Sequence, residues 1–268
     1  MKKIIALFML MTMVGALVAG CGGNADKKED ASKKKIVVGL DDNFPPMGFK
    51  DETDKIVGFD IDLATEAAKR LGREVEFKAI DWSSKEAELS SGRIDVLWNG
   101  LNITEKRKEN MLFSNPYMEC KQLIFVPKGS AIKGEADLKG KVVGMQSAST
   151  AEENLDADKA LQAALKEVKK YPDCIAAMMD MEAGRVDAII TDEIVGRYYM
   201  SKSPDKFVAL DAPVGPVGDF GIGFRKDDTA LQGEIQKVLD EMKKDGTTAK
   251  ISTKWFGKDI TKSFRMEN

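Results

Sequence analysis

One seven-residue phrase is written twice in this chain. Ser91-Gly92-Arg93-Ile94-Asp95-Val96-Leu97 and Ala183-Gly184-Arg185-Val186-Asp187-Ala188-Ile189 each end a helical segment on Gly, follow it with Arg, and set an Asp just inside the next apolar strand. Around the first copy, residues 36–40 form a nearly continuous apolar run, the pattern of a strand covered on both faces. Gly58-Phe59-Asp60 precedes a helix in which Asp60 is the expected cap, Ile61, Ala64, Ala68 and Leu71 fall at helical spacing, and Gly72 is the stop. Residues 75–80 alternate as a strand, 85–91 read as a short helix, and 94–98 as a strand. Around the second copy, 141–145 is a strand, 150–168 a helix, 174–183 a helix closed by Gly184, and 186–190 a strand. Strands alternating with helices predict a parallel α/β sheet, and the repetition predicts two lobes of like construction.

After the second copy, residues 220–224 read as a glycine-containing strand. An amphipathic helix follows, with Leu231, Ile235, Val238, Leu239 and Met242 on one face and Gly246 at its end, and a last helix reaches Trp255-Phe256-Gly257. No polar linker separates the lobes, so the expectation is a packed pair with a ligand-sized cleft between them.

Composition removes several chemistries. The chain has 268 residues and no histidine, which excludes Ser-His-Asp and Cys-His nucleophile systems, HExxH zinc sites and imidazole switches. A formal net charge of −3 argues against a nucleic-acid binder. With 43% apolar and 32% charged residues, the chain can bury a core. No cofactor or metal is expected.

The N-terminus reads as an address. Met1-Lys2-Lys3 is a positive flank, and residues 4–19 form an apolar run shorter than the ~20 residues that a spanning helix needs. It ends in Leu17-Val18-Ala19-Gly20-Cys21, which resembles the bacterial lipobox. That resemblance implies cleavage before Cys21 and a diacylglycerol on its sulfur, whose two chains make a stable anchor. Residues 22–35 hold almost nothing to bury and read as a solvated tether. The expected domain plan is therefore 1–20 leader, 21–35 tether, 36–120 with 219–258 as the first lobe, and 121–218 as the second. Cys120 and Cys174 could pair in an exported protein, but their places at a strand and at a helix start favour two buried thiols.

Several phrases together resemble the extracellular solute-binding proteins of amino-acid ABC importers. They are Gly58-Phe59-Asp60-Ile61-Asp62-Leu63-Ala64, Asn102-Ile103-Thr104-Glu105-Lys106-Arg107-Lys108, Phe113-Ser114-Asn115-Pro116-Tyr117, residues 137–144, and residues 184–193. The resemblance covers about residues 36–256. It implies the type II periplasmic binding protein fold: two α/β lobes, each a mostly parallel sheet flanked by helices, joined by two crossover strands. It also implies a monomer on the extracytoplasmic face of the cell membrane that delivers a free polar amino acid to an ABC permease and its ATPase.

The residues say how a zwitterion would be held. Arg107 presents a fork matched to a carboxylate, although its charged neighbours also suit a solvated helix start. The resemblance gives it the ligand carboxylate, helped by Gly100 and Asn102. It gives Asp192, at the end of a strand, the ligand ammonium, and Asp192 also suits a helix cap. Ser147-Ala148-Ser149-Thr150 opens a helix whose backbone N–H groups and hydroxyls can receive a carboxylate, with Ser149 the side chain relied on and Ala148 offering only its backbone. Asp41, Phe44, Trp82 and Met145 are the candidates for side-chain recognition, with Thr191 and Glu119 behind them. Met145 reads equally as core, and Asp41 as a turn cap. Two other readings stand beside transport: a small-molecule lyase of the cyclohexadienyl dehydratase type, which would need a poised acid or base without histidine, and a ligand-presenting subunit of a sensory system.

Overall fold

The structure, a computed structural model, describes residues 35–261. The expected leader, Cys21 and nearly all of the expected tether lie outside the described residues. Lys35, expected as the last tether residue, instead opens the first strand.

The chain begins with β1 (Lys35–Leu40) and a small antiparallel sheet of β2 (Asn43–Phe44), β3 (Gly48–Lys50) and β4 (Ile56–Val57). It continues through α1 (Phe59–Arg70), β5 (Glu74–Ala79), a 3-10 turn at Trp82–Ser84, α2 (Lys85–Ser90), β6 (Val96–Leu97), α3 (Glu105–Lys108) and β7 (Met111–Phe113). After β8 (Met118–Cys120) come β9 (Gln122–Pro127), β10 (Val142–Gln146), α4 (Thr150–Ala157), α5 (Lys159–Ala164) and β11 (Glu167–Tyr171). The second lobe closes with α6 (Cys174–Glu182), β12 (Ala188–Asp192), α7 (Glu193–Lys202) and β13 (Phe207–Pro213). The return runs through β14 (Gly218–Phe220) and β15 (Gly223–Arg225) to α8 (Thr229–Lys244) and α9 (Thr247–Phe256).

Two five-stranded sheets share one plan. Their strand orders are β5-β1-β6-β15-β7 and β11-β10-β12-β9-β13. In each, three strands run parallel and two are antiparallel to their neighbours. Between the sheets, β8 and β14 pair antiparallel, with Cys120 opposite Gly218 and Met118 opposite Phe220.

The duplicated phrase marks the same junction in both sheets. Val37 N donates to Asp95 Oδ2 at 2.9 Å, and Val142 N donates to Asp187 Oδ2 at 2.8 Å. Each Asp returns its own N–H to the same residue's carbonyl at 2.8 Å. Gly92 and Gly184 take φ of 74° and 71°, the left-handed stop that only glycine adopts freely. Each Asp stands one residue before its strand rather than inside it, and its carboxylate accepts from an amide of the neighbouring strand, the third of β1 and the first of β10.

Three expectations are corrected. Asp60 is not the cap of α1: Gly58 is, and Asp60 is fully buried. Residues 150–168 are not one helix, because Asp158 caps a fresh turn and Glu167–Tyr171 pairs with β10 as an edge strand. Its lysines hide the alternation, since an edge strand tolerates charge and long stems cover apolar surface. Residues 220–224 divide into two strands, one in the crossover ladder and one in the first sheet.

The apolar filling of the first lobe reaches Cys174 and Val195 of the second, and the second lobe has two clusters of its own. The Leu231, Ile235, Val238, Leu239 and Met242 stripe of α8 packs with Leu63, Ala64 and Ala67 of α1, each large side chain contributing about 1.5–3 kcal/mol on burial. In the second lobe, Ala188 and Ile190 face Leu155 and Leu161, while Ile189 faces Met178 and Met181. Both faces of β12 are therefore covered, as its apolar run requires.

Candidate ligand-binding site

The candidate residues gather at the C-terminal ends of parallel strands, where ligands bind in open α/β sheets. Asp41 follows β1, Trp82 follows β5, Gly100 and Asn102 follow β6, Met145 ends within β10, Ser149 follows it, and Asp192 ends β12. Phe44 lies in β2 and Arg107 in α3.

Arg107 is 1% exposed and crosses between lobes. Its Nη1 donates to the Asn102 carbonyl at 3.0 Å and to Thr150 Oγ1 at 3.3 Å, and its Nη2 pairs with Glu153 Oε1 at 3.0 Å. Its buried Nε has no hydrogen-bond partner among the described residues. Burial pulls the guanidinium below its ordinary value, opposed by the charges of Glu153 and Asp192. Thr150 Oγ1 also donates to Asn102 Oδ1 at 2.9 Å, so Asn102 and Arg107 meet the start of α4 together.

Asp192 is buried, and its Oδ1 accepts from Cys120 Sγ at 2.8 Å and Gln122 Nε2 at 2.7 Å. Although Asp192 precedes α7, its side chain makes no cap. Burial raises its carboxyl, offset by the Cys120 and Gln122 donors and by Arg107. Cys120 and Cys174 are both buried and free, and burial raises both thiols well above their usual range.

Asp41 Oδ2 accepts from Gln146 Nε2 across the lobes at 2.6 Å, and its Oδ1 accepts from Asn43 N. Burial raises Asp41 to about 6, and the Asp173 and Asp42 charges add to the rise. Its turn-capping role and its place in the cleft therefore hold together. Gly100 has φ of 56°, and a Cβ there would lie 2.7 Å from Phe44 Cε1. Its N–H donates to Asp60 Oδ2 at 2.6 Å, and Tyr117 donates to the same oxygen at 3.1 Å. Asp60, raised by burial to about 7, thus holds the loop that carries Asn102.

The other candidates divide. Ser149 caps α4, accepting from Glu152 N at 3.3 Å and donating to the Gln146 carbonyl at 2.7 Å. Trp82 is 7% exposed at the edge of an apolar group with Leu89 and Ile94. Met145 is fully buried within the second lobe's apolar filling. Thr191 Oγ1 meets Cys174 Sγ at 3.2 Å, and Glu119 is exposed on β8.

Thr150 is among the hydroxyls expected at the start of α4, whereas three residues of the cleft were not anticipated: Gln146, the last residue of β10, Glu153 of α4, and Lys85. Lys85 is 3% exposed, with Nζ donating to the Ala148 carbonyl of the other lobe at 2.8 Å. Its signal was its i, i+4 spacing to Leu89 on the buried face of α2.

The family model of the bacterial extracellular solute-binding proteins, family 3, matches residues 36–258. An L-cystine-binding protein of Bacillus subtilis (strain 168) is 33% identical over 97% of this chain and 99% of its own. An arginine-binding extracellular protein of the same organism is 33% identical over 96% and 98%. A solved ABC uptake transporter substrate-binding protein from Streptococcus pneumoniae, with bound histidine, superposes with a TM-score of 0.83 at 35% identity, covering 87% of this chain and 96% of that one. These relatives are binding proteins. With two like-built lobes meeting at polar strand ends and a match across nearly all described residues, the chain belongs to family 3 of the bacterial extracellular solute-binding proteins.

Proposed function

We propose that this protein is an extracytoplasmic receptor that closes its two lobes around a free polar amino acid and delivers it to an ABC permease. Residues 36–120 with 219–258 form one jaw and residues 121–218 the other. The observation that carries the reading is one buried charge of each sign from opposite lobes, Arg107 from α3 and Asp192 from β12, near enough to influence each other. A zwitterion satisfies both at once, and its binding energy is spent on the closed state. Arg107 takes the carboxylate with Asn102, Gly100 and Ser149, and Asp192 takes the ammonium. Phe44 and Trp82 flank the side chain, and Met145 closes the floor behind it. Asp41, buried and raised by that burial, faces the side-chain end and favours a hydrogen-bond donor or cation.

The relatives' ligands, cystine, arginine and histidine, all carry such a group. Cys21 carries the lipid that ties the chain to the membrane, and the protein works as a non-catalytic monomer. The test is calorimetric titration of the purified protein with L-arginine, L-histidine, L-cystine and the remaining common amino acids. Saturable 1:1 binding of at least one polar member is expected, with thermal stabilisation of about 2.7 kcal/mol at 100 times the dissociation constant. Binding of none contradicts the reading. Cys21→Ala is expected to release the protein from the membrane fraction.

A further inference from the structure

The cleft holds one more cation than a single carboxylate fork requires. Lys85, the first residue of α2, is buried in the first lobe and reaches the second. Its Nζ donates to the Ala148 carbonyl at 2.8 Å, the same oxygen to which Arg107 Nη2 lies at 3.5 Å. It also contacts the Trp82 carbonyl at 3.4 Å and stands 5.2 Å from the centre of the Trp82 ring. Two buried cations from one lobe thus converge on one carbonyl of the other.

The charges facing this pair are few. Glu153 of α4 pairs with Arg107, Glu86 of α2 and Asp192 of β12 act at longer range, and Lys106 of α3 adds a further positive charge. Burial, then the repulsion of Arg107, brings the Lys85 ammonium down to about 8. A closed cleft without an incoming anion therefore keeps an under-neutralised positive end. Burying a charge without a partner is costly, and an added carboxylate relieves both cations together.

We propose that Lys85 is a specificity-determining residue: with Arg107 it forms a two-cation subsite that makes closure of the lobes depend on a free carboxylate of the ligand. This rests on the amino-acid reading above and adds to it a residue outside the carboxylate fork. Lys85 selects against ligands that share the amino acid's side chain and ammonium but lack its negative end. A decarboxylated amine or an α-amide leaves Lys85 and Arg107 facing each other across a neutral group.

The experiment compares calorimetric affinities for L-arginine, L-histidine and L-cystine with those for their α-amides, in the unaltered protein, Lys85→Met and Lys85→Arg. Met keeps the stem's volume and removes the charge. For whichever amino acid binds, Lys85→Met is expected to weaken it by about 10- to 100-fold while altering the amide's affinity by less than about threefold. The acid-to-amide preference then falls at least tenfold, and Lys85→Arg keeps most of it. A purely structural role weakens acid and amide alike and leaves that ratio unchanged, which would overturn the proposal while the amino-acid reading stands. If another common amino acid binds in place of these three, it and its α-amide are compared instead; if the unaltered protein binds no amino acid, the amino-acid reading fails and the proposal with it.

Discussion

Gln146 Nε2 donates to Asp41 Oδ2 at 2.6 Å and joins the end of β10 to the end of β1 across the cleft. It supplies a neutral donor where the burial of Asp41 calls for a cation. Burial raises this carboxyl from its ordinary 3.8 to about 6. A raised acid contributes stability that is fully present below the unfolded value near 4 and is lost as pH rises through 6. For Asp41 the amount is on the order of 3 kcal/mol. Asp41→Asn carries no such penalty. In urea unfolding of the ligand-free protein, the variant and the parent are expected to be alike near pH 4 and the variant more stable at pH 8. Equal stability at both pH values would show that Asp41 is not strained by burial.

Gly100 is held at φ of 56° with the Phe44 ring over it, and its N–H is fixed by Asp60. Gly100→Ala adds a Cβ 2.7 Å from Phe44 Cε1 and forces a left-handed alanine, a cost of about 1–3 kcal/mol. The expected result is a lower melting temperature and loss of amino-acid binding by at least tenfold, because Phe44 and the Asn102 loop move together. Unchanged affinity would separate this loop from the ligand.

Cys120 and Gln122 both donate to Asp192 Oδ1 and hold it toward the cleft. Gln122→Ala removes a donor to a buried carboxylate, and binding is expected to weaken by about 1.5–3 kcal/mol. The buried, raised thiols of Cys120 and Cys174 are expected to resist an aromatic disulfide reagent in the native protein and to react once it is unfolded. Fast native labelling of either would contradict their burial.

Much of the architecture was legible because it rests on apolar periodicity and glycine stops. The duplicated phrase located two equivalent strand junctions, and the α8 stripe matched its buried face residue for residue. Residues 150–168 misled because a capped break at Asp158 and a lysine-bearing edge strand leave no apolar signature. Asp60 looked like a cap because it follows Gly58, whereas its partners, Gly100 and Tyr117, are far away in sequence. At the cleft, the family phrase singled out Arg107 and Asp192. Gln146, Glu153 and Lys85 gain their meaning only when the second lobe comes within hydrogen-bond distance of the first, which local spacing does not encode.

In the proposed complex Arg107 holds the ligand carboxylate. Calorimetric titration of Arg107→Ala against the amino acid that the unaltered protein binds, with circular dichroism to confirm the fold, tests it most directly. Loss of a desolvated charge pair costs about 2–5 kcal/mol, so binding is expected to weaken by at least thirtyfold while the fold is kept. A folded Arg107→Ala protein with unchanged affinity would contradict it.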